Sequence, residues 1–186
     1  MNIPFLTGLL GSLVLVMGAA WPEKKVASHP TRSIKNWLFA IGGTIMFIYA
    51  LLGYQNGGPI FFVILETLVM LSSLLMMLNI PDKIDVPILS FGCLGLIIWS
   101  LFLFEDYSTL FFILGLFGVG LGYALKMGSF RRGLALTLGS ILIAIFSYLE
   151  ASWIFFWLNT FFALFTTYYI YKDFYQKKSR APAVKV

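Results

Sequence analysis

The chain has 186 residues, of which 60% are hydrophobic and only 11% are charged. A soluble domain of this size carries about a quarter of its residues as charged side chains and still exposes roughly a third of the surface of its unfolded chain. The composition therefore excludes a water-soluble fold and predicts an all-α integral membrane protein.

The formal net charge of +5 does not indicate nucleic-acid binding, because the basic residues lie in short segments between apolar runs. This pattern is typical of a membrane protein whose basic segments face an anionic inner leaflet. The single cysteine, Cys93, lies in an apolar run, and the single histidine, His29, lies in a basic loop. These two residues predict neither a disulfide nor a metal site, and no cofactor is expected.

Seven apolar segments are long enough to cross a hydrocarbon core of about 30 Å, which needs roughly 20 helical residues. Gly57-Gly58-Pro59 separates the second segment from the third, and Asp85-Val86-Pro87 predicts an N-cap and a first-turn proline for the fourth. The predicted helices span 3–20, 37–53, 59–79, 86–104, 108–125, 133–149 and 152–171. A basic cytoplasmic tail is predicted over 172–186.

The distribution of charge predicts the orientation in the membrane. With seven spans, all 13 Lys and Arg residues fall in segments on one side, whereas Glu105, Asp106 and Glu150 fall in turns on the other. Basic residues concentrate on the cytoplasmic side of membrane proteins. The sequence therefore predicts a multi-pass protein of the cell membrane with its N-terminus outside and its C-terminus in the cytoplasm.

Short motifs recur in the same order in the two halves of the chain, at offsets of 107, 96 and 93–94 positions. They predict one domain over 1–171, in which a repeat at about 3–79 and a second at about 108–171 form two three-helix bundles (helices 1–3 and 5–7), joined by helix 4 at 86–104. Alternatively, the recurring glycines are only helix-packing residues. The matched motifs are Phe5-x-x-Gly8-Leu9-x-Gly11 with Phe112-x-x-Gly115-Leu116-x-Gly118, Gly43-Thr44-Ile45 with Gly139-Ser140-Ile141, and Ile60-Phe61-Phe62…Glu66-Thr67 with Ile154-Phe155-Phe156…Asn159-Thr160.

This three-plus-one-plus-three plan resembles the SWEET and PQ-loop transporters and the PnuC vitamin transporters. The segment 36–79 is most similar to PnuC, since Asn36-Trp37 opens a helix that contains Gly42-Gly43 and Tyr49. The chain departs from the PQ-loop pattern, because helices 1 and 5 lack the Pro-Gln pair. It also departs from PnuC, which tends to have proline at the position of Leu38 and favours glutamine at the position of Glu66. The resemblance implies a solute transporter.

Glu66 is the only ionisable residue well inside a predicted span. It lies roughly 10 Å from the start of its helix, and a carboxylate at that depth usually faces a bundle interior or a watery cavity. Alternatively, Glu66 is protonated and only links helices. Asn159 lies about as far into the seventh span, so the repeat predicts that Glu66 and Asn159 share one level between the bundles.

The neighbours of these two residues complete the predicted solute-binding site. Thr67 and Thr160 directly follow Glu66 and Asn159. Trp153 and Trp157 share a helix face with Thr160, and aromatic walls with a few polar groups are typical of small-molecule pockets. Trp153 also fits an interfacial aromatic belt.

The predicted function is a membrane transporter or facilitator of a small polar solute, similar to a vitamin, nucleoside or sugar, that works by alternating access between two helical bundles. The alternative is a non-transporting membrane partner or sensor subunit. No enzymatic activity is expected, because one intramembrane carboxylate without histidine cannot form the usual catalytic sites. The expected partners are the small polar solute and a bilayer with an anionic inner leaflet, and a homo-oligomer is compatible with the sequence.

Overall fold

The computed structural model describes residues 3–21, 30–78, 80–126 and 128–179. In these ranges, each of seven α-helices is long and apolar enough to cross a bilayer, so the chain is an all-helical multi-pass membrane protein. Lys24, Lys25, His29 and the end of the tail at 180–186 lie outside the described residues. The helices are α1 (Ile3–Ala20), α2 (Ile34–Gln55), α3 (Phe61–Leu78), α4 (Asp82–Phe102), α5 (Tyr107–Ala124), α6 (Phe130–Leu149) and α7 (Trp153–Ser179), and a short 3-10 turn covers Pro30–Arg32.

The start of α4 and the end of α7 differ from the prediction. The expectation that Asp85 caps α4 is wrong, because the helix begins at Asp82 after the N-cap Pro81, and Pro87 lies inside it. The carbonyl of Pro81 already accepts hydrogen bonds from the backbone N–H groups of Ile84 and Asp85. The helix α7 continues to Ser179, so part of the predicted basic tail is helical.

Side-chain caps explain where three of the helices begin. The Ser33 hydroxyl accepts from the backbone N–H of Asn36 at the start of α2, and the Ser129 hydroxyl does the same for Arg132 at the start of α6. At the start of α5, the Asp106 carboxylate accepts from the backbone N–H of Ser108 at 2.8 Å and from that of Thr109 at 3.2 Å. These caps satisfy N–H groups that the first turn leaves without helical partners.

The cap at Asp106 predicts a pH-dependent effect of mutation. The Asp106→Ala variant is expected to melt at a lower temperature than wild type near neutral pH, and the difference should shrink as the pH falls below about 4. The Ser108 hydroxyl, 2.6 Å from the carboxylate, and the backbone N–H groups of Thr109 and Ser108 hold the pKa of Asp106 below its usual value. A group with a lowered pKa stabilises the fold above its unfolded-state pKa, and this contribution is lost as the pH falls through its folded-state pKa.

Thermal unfolding in detergent across this pH range measures the effect. The Asp106→Asn variant is the control, because an asparagine still caps a helix but does not titrate. A destabilisation by Asp106→Ala that is independent of pH would contradict the role of the ionised carboxylate.

Six of the seven helices form a ring. The helix α2 lies between α1 and α3, α6 lies between α5 and α7, and the ring closes where α1 contacts α7 and α3 contacts α5. The helix α4 lies outside the ring, against α3 and α5. Among the described residues, no Cα atom of α1 lies within 8 Å of α3, and none of α5 lies within 8 Å of α7. Each set of three helices is therefore a row, and the predicted arrangement of two three-helix bundles is not confirmed.

The contacts between α1 and α2 recur between α5 and α6. In each pair, glycines allow the two backbones to approach closely. Counterparts are separated by 104 positions in α1 and α5 and by 97 positions in α2 and α6. The matching contacts are Gly8–Tyr49 with Phe112–Phe146, Gly11–Met46 with Gly115–Ile143, Leu15–Gly42 with Val119–Gly139, and Gly18–Phe39 with Gly122–Leu136.

The contacts that join the two rows recur in the same way, with 93 positions between counterparts in α3 and α7. The matching contacts are Gly8–Ile154 with Phe112–Phe61, and Tyr49–Phe155 with Phe146–Phe62. Phe62 and Phe155 are counterparts of each other, and they also stack on each other, with ring centroids 4.1 Å apart and ring planes at 6°. Exchange of the two rows maps each of these contacts onto its counterpart and maps Phe62 and Phe155 onto each other, as a two-fold rotation does. A local two-fold axis therefore passes between these rings, parallel to the helices.

The close contact of α5 with α6 predicts that alanine destabilises the protein at Gly139 of α6 but not at Gly95 of α4. A Cβ atom at Gly139 would lie 2.6 Å from the Val119 backbone nitrogen and 2.9 Å from the Gly115 oxygen, whereas a Cβ at Gly95 in α4 would meet nothing within 4 Å. Gly139→Ala is expected to lower the free energy of unfolding by about 2 kcal/mol, because backbone atoms must move apart. Gly95→Ala should leave it unchanged or raise it by up to about 1 kcal/mol. Denaturant titration in mixed micelles measures both variants, and equal effects would contradict the tight crossing.

Candidate functional site

Glu66 lies inside the ring of helices, on the second turn of α3. It is 1% exposed and is the only charged side chain among the buried residues that the structure describes. Its Oε2 atom is fully buried and has no hydrogen-bond partner in the described part of the chain. Buried polar atoms are almost always paired, so this oxygen marks a place where a proton or a ligand belongs.

A stack of four aromatic rings covers Glu66 on the side where α3 and α7 begin. Phe62, one turn before Glu66, stacks on Phe155 of α7. Tyr49 stacks on Phe155, and Phe146 packs against Phe62 with the ring planes tilted by 51°, each with ring centroids 5.5 Å apart. We call these four rings the aromatic stack. Phe62, Phe155 and Phe146 are buried, so the stack closes this end of the ring's interior.

Asn159 occupies the position in α7 that Glu66 occupies in α3. Each follows its stacked phenylalanine by four residues, which places it on the same helix face about 6 Å further along. The two helices run in the same direction, because consecutive helices joined by short loops are antiparallel. The Asn159 amide nitrogen donates to the Phe155 carbonyl at 2.9 Å, which leaves the amide oxygen as an acceptor. Glu66 and Asn159 thus lie at one level on either side of the local two-fold axis.

Aromatic and polar side chains follow on the other side of this level. Phe162, three residues after Asn159, packs on Phe39 of α2 with centroids 5.9 Å apart, and we call these rings the second aromatic pair. Tyr123, in the last turn of α5, faces the Ser72 side chain and lies within electrostatic range of both Glu66 and Arg132. The predicted site did not include Tyr123, for which the sequence provides no spacing signal.

The side chains of Thr67 and Thr160 do not lie on the helix faces that carry Glu66 and Asn159. Their hydroxyls donate to carbonyls of their own helices, Thr67 to Val63 at 2.7 Å and Thr160 to Phe156 at 2.8 Å. Each also lies about 100° around its helix from the preceding residue, so neither shares the face of Glu66 or Asn159.

Trp153 and Trp157 lie on the outer surface, where they are 55% and 54% exposed. The two residues share a helix face, as expected, but that face points away from the ring. This position does not support the expectation that they line the solute pocket, and it suits side chains at the lipid boundary. Of the predicted site residues, only Glu66 and Asn159 are buried, at counterpart positions of α3 and α7.

Two grooves on the outer surface are also separate from Glu66 and Asn159. The larger, about 790 Å³, lies between α6 and α7 and is lined mainly by apolar and aromatic side chains such as Tyr148, Leu164 and Tyr168, with Thr160 at its wall. The smaller, about 340 Å³, lies beside Ala20 and α7. Neither groove is lined by Glu66 or Asn159.

The chemistry available at the site is that of one carboxylate and one amide between aromatic rings. Such a pair can hold a proton, accept hydrogen bonds from a solute or balance a positive charge. The described residues contain no group of three or more His, Cys, Asp or Glu side chains that could hold a metal ion. Comparisons of this chain with protein-family models, with curated proteins and with solved structures found no match.

Proposed function

We propose that the protein is a membrane transporter or facilitator that moves a small polar solute by alternating access, with Glu66 and Asn159 as its binding residues. One observation carries this proposal. The buried Glu66 carboxylate has an oxygen without a partner among the described residues, and Asn159 lies at the same level on the other side of the local two-fold axis. A buried group of this kind is costly for a protein that only needs to be stable.

The proposed motion uses the two rows of helices as two equivalent repeats. The row α1–α3 and the row α5–α7 meet at two contacts, α1 with α7 and α3 with α5, and α4 joins the rows from outside. Rocking one row against the other would separate the aromatic stack at one end or the second aromatic pair at the other, while Glu66 and Asn159 stay between them. The three-plus-one-plus-three plan predicted from the sequence resembles that of the SWEET and PnuC transporters, and this resemblance supports the proposed motion.

The proposed orientation follows from charge. The described basic residues lie at the end of the ring where α2 and α6 begin, and Asp106 and Glu150 lie at the opposite end. We place the basic end in the cytoplasm, with the N-terminus outside. The aromatic stack then closes the site toward the outside, and the second aromatic pair closes it toward the cytoplasm.

Solute uptake by purified protein in liposomes tests the proposal. Wild type is expected to take up at least one solute from a panel of nucleosides, vitamins, sugars and amines. Glu66→Leu should reduce that uptake by about 100-fold or more, because it removes the carboxylate that accepts hydrogen bonds from the solute or balances its charge. Thr160→Val is the matched control and should leave uptake unchanged, since the Thr160 hydroxyl bonds within its own helix.

Two results would contradict the proposal. One is wild-type protein that moves no solute from the panel, and the other is full uptake by Glu66→Leu. Purification of the inactive protein with a stoichiometric partner would favour the non-transporting alternative.

A further inference from the structure

We infer that the solute of this site is a small organic cation with an ammonium group, and that it exchanges for a proton bound to Glu66. This inference rests on the proposed function and specifies the class of solute and the coupling ion. It follows from three properties of the site: its uncompensated charge, its few polar groups and its aromatic surroundings.

Glu66 has no positive partner at its level in the described part of the chain. The titratable groups nearest this level on neighbouring helices are Tyr49 on α2, Cys93 on α4 and Tyr123 on α5, and none of them is basic. The basic residues of α2 and α4, Lys35 and Lys83, lie in the first turns of those helices, at the opposite end of the ring from the aromatic stack. Asn159 on α7 is neutral. Arg132, at the start of α6, lies near Tyr123 and donates to the Leu125 carbonyl at 3.4 Å, and Arg32 beside α2 is exposed.

An ionised carboxylate in an apolar interior must be neutralised or paired. Because the described residues supply no cation at this level, the compensating charge comes from a proton or from the solute. The two compete for the same carboxylate, so a bound cation and a bound proton exclude each other.

The polar groups are too few for a sugar or for a metal ion. A solute with many hydroxyls needs several hydrogen-bond partners when it is buried. At this level the described residues provide one carboxylate and one amide oxygen, and the Tyr123 and Ser72 hydroxyls lie further along the ring and face each other. Hard metal ions such as Ca²⁺ take six or more oxygen ligands, and Mg²⁺ requires octahedral coordination. An organic ammonium group needs less, because one carboxylate balances its charge. The amide oxygen accepts a hydrogen bond where the ammonium has an N–H group and faces the charge of a quaternary ammonium that has none.

The surrounding rings suit the remainder of such a solute. The aromatic stack lies about one helical turn from Glu66 on one side, and Phe162 with Phe39 lies on the other. Faces of aromatic rings attract organic cations, and the attraction strengthens when water is excluded. Met46 and Ile143, both fully buried, lie about one turn along α2 and α6 from Tyr49 and Phe146, so the side walls accept hydrocarbon.

The exchange balances in charge. With the site open to one side, the cation binds and the Glu66 proton leaves to the same side. The loaded site then closes, reopens to the other side, and the cation leaves as a proton binds. An empty, ionised site does not close, because the aromatic layers would enclose an unpaired carboxylate. Each cycle therefore moves one cation in one direction and one proton in the other.

Binding of phenyltrimethylammonium to the full-length protein in detergent tests the inference, because this probe is permanently charged and cannot itself carry a proton. Calorimetry measures binding, and a pH-sensitive dye in weak buffer measures proton release. Wild type, studied where Glu66 is protonated before binding, is expected to release about one proton per bound cation, and its affinity should fall about tenfold for each unit of lower pH.

Variants separate Glu66 from the other acids. Glu66→Gln should bind at least about 100-fold more weakly and release no proton, whereas Glu66→Asp should keep proton release at reduced affinity. Glu150→Gln, which changes an acid at the ring's end, should behave as wild type. An unchanged melting temperature and a single size-exclusion peak for Glu66→Gln show that the loss of binding does not come from unfolding.

The outcomes distinguish this inference from the proposed function. Uptake of a neutral sugar or nucleoside that persists in Glu66→Gln, without cation binding, overturns the inference and leaves a transporter. Cation binding with proton release but no flux in liposomes supports the site and overturns the transporter. Equal cation binding by wild type and Glu66→Gln overturns the inference at its first step.

Discussion

Replacement of Phe155 by alanine is expected to lower the free energy of unfolding by about 4 kcal/mol. The Phe155 side chain is 2% exposed and lies between the rings of Phe62 and Tyr49. Lipid tails are as apolar as phenylalanine, so the loss comes from packing and not from transfer out of water. A cavity on the order of 100 Å³ costs about 2 kcal/mol, and two lost ring contacts cost about 1 kcal/mol each.

Phe161→Ala provides the matched control, since it is the same substitution in the same helix at a residue that is 40% exposed. Its effect should stay below about 1 kcal/mol, because lipid or detergent replaces the lost contacts. Reversible unfolding in mixed micelles measures both variants. Similar effects at the two positions would show that the aromatic stack is not packed as described.

The pairing of Phe62 with Phe155 in the aromatic stack could have been predicted from the sequence. Which face of α7 points toward the site could not. Phe62 precedes Glu66 by four residues and Phe155 precedes Asn159 by four, so the offset of 93 already aligns an aromatic ring and a polar group in both helices. The prediction aligned the polar groups at an offset of 93 but matched Phe61-Phe62 with Phe155-Phe156 at an offset of 94, so it did not pair Phe62 with Phe155. The tryptophans were misplaced because helical periodicity identifies a shared face, not whether that face points inward or toward lipid.

Hydropathy was sufficient to predict the seven helices, because crossing a bilayer imposes a minimum length on every apolar segment. The register of the repeat was not accessible in the same way. Gly8 and Gly11 align with Gly115 and Gly118 at an offset of 107, whereas the contacts relate Gly11 to Gly115 at an offset of 104. The offsets of 107 and 104 each pair two glycines of α1 with two glycines of α5, so glycine spacing does not select the register and only the contacts between helices do.

Transport that is lost when Glu66 is removed from α3 is expected to return when a glutamate is placed at the counterpart position in α7. Glu66→Asn should reduce solute flux by about 100-fold or more, because the site loses its only charge. Adding Asn159→Glu should bring flux back to within about tenfold of wild type. The second substitution places a carboxylate at the counterpart position, at the same level and beside the same stacked rings. Initial rates of uptake into liposomes measure the recovery.

Two further variants test whether the recovery requires the acid at the counterpart position of Glu66. Glu66→Asn combined with Thr160→Glu moves the acid by one more residue, onto the wall of the outer groove, and should stay inactive. Asn159→Glu alone places two carboxylates on either side of the axis, where repulsion keeps one of them protonated, and should retain partial flux. If Thr160→Glu rescues flux as well as Asn159→Glu does, the carboxylate acts from outside the ring, and Glu66 and Asn159 do not face one shared site.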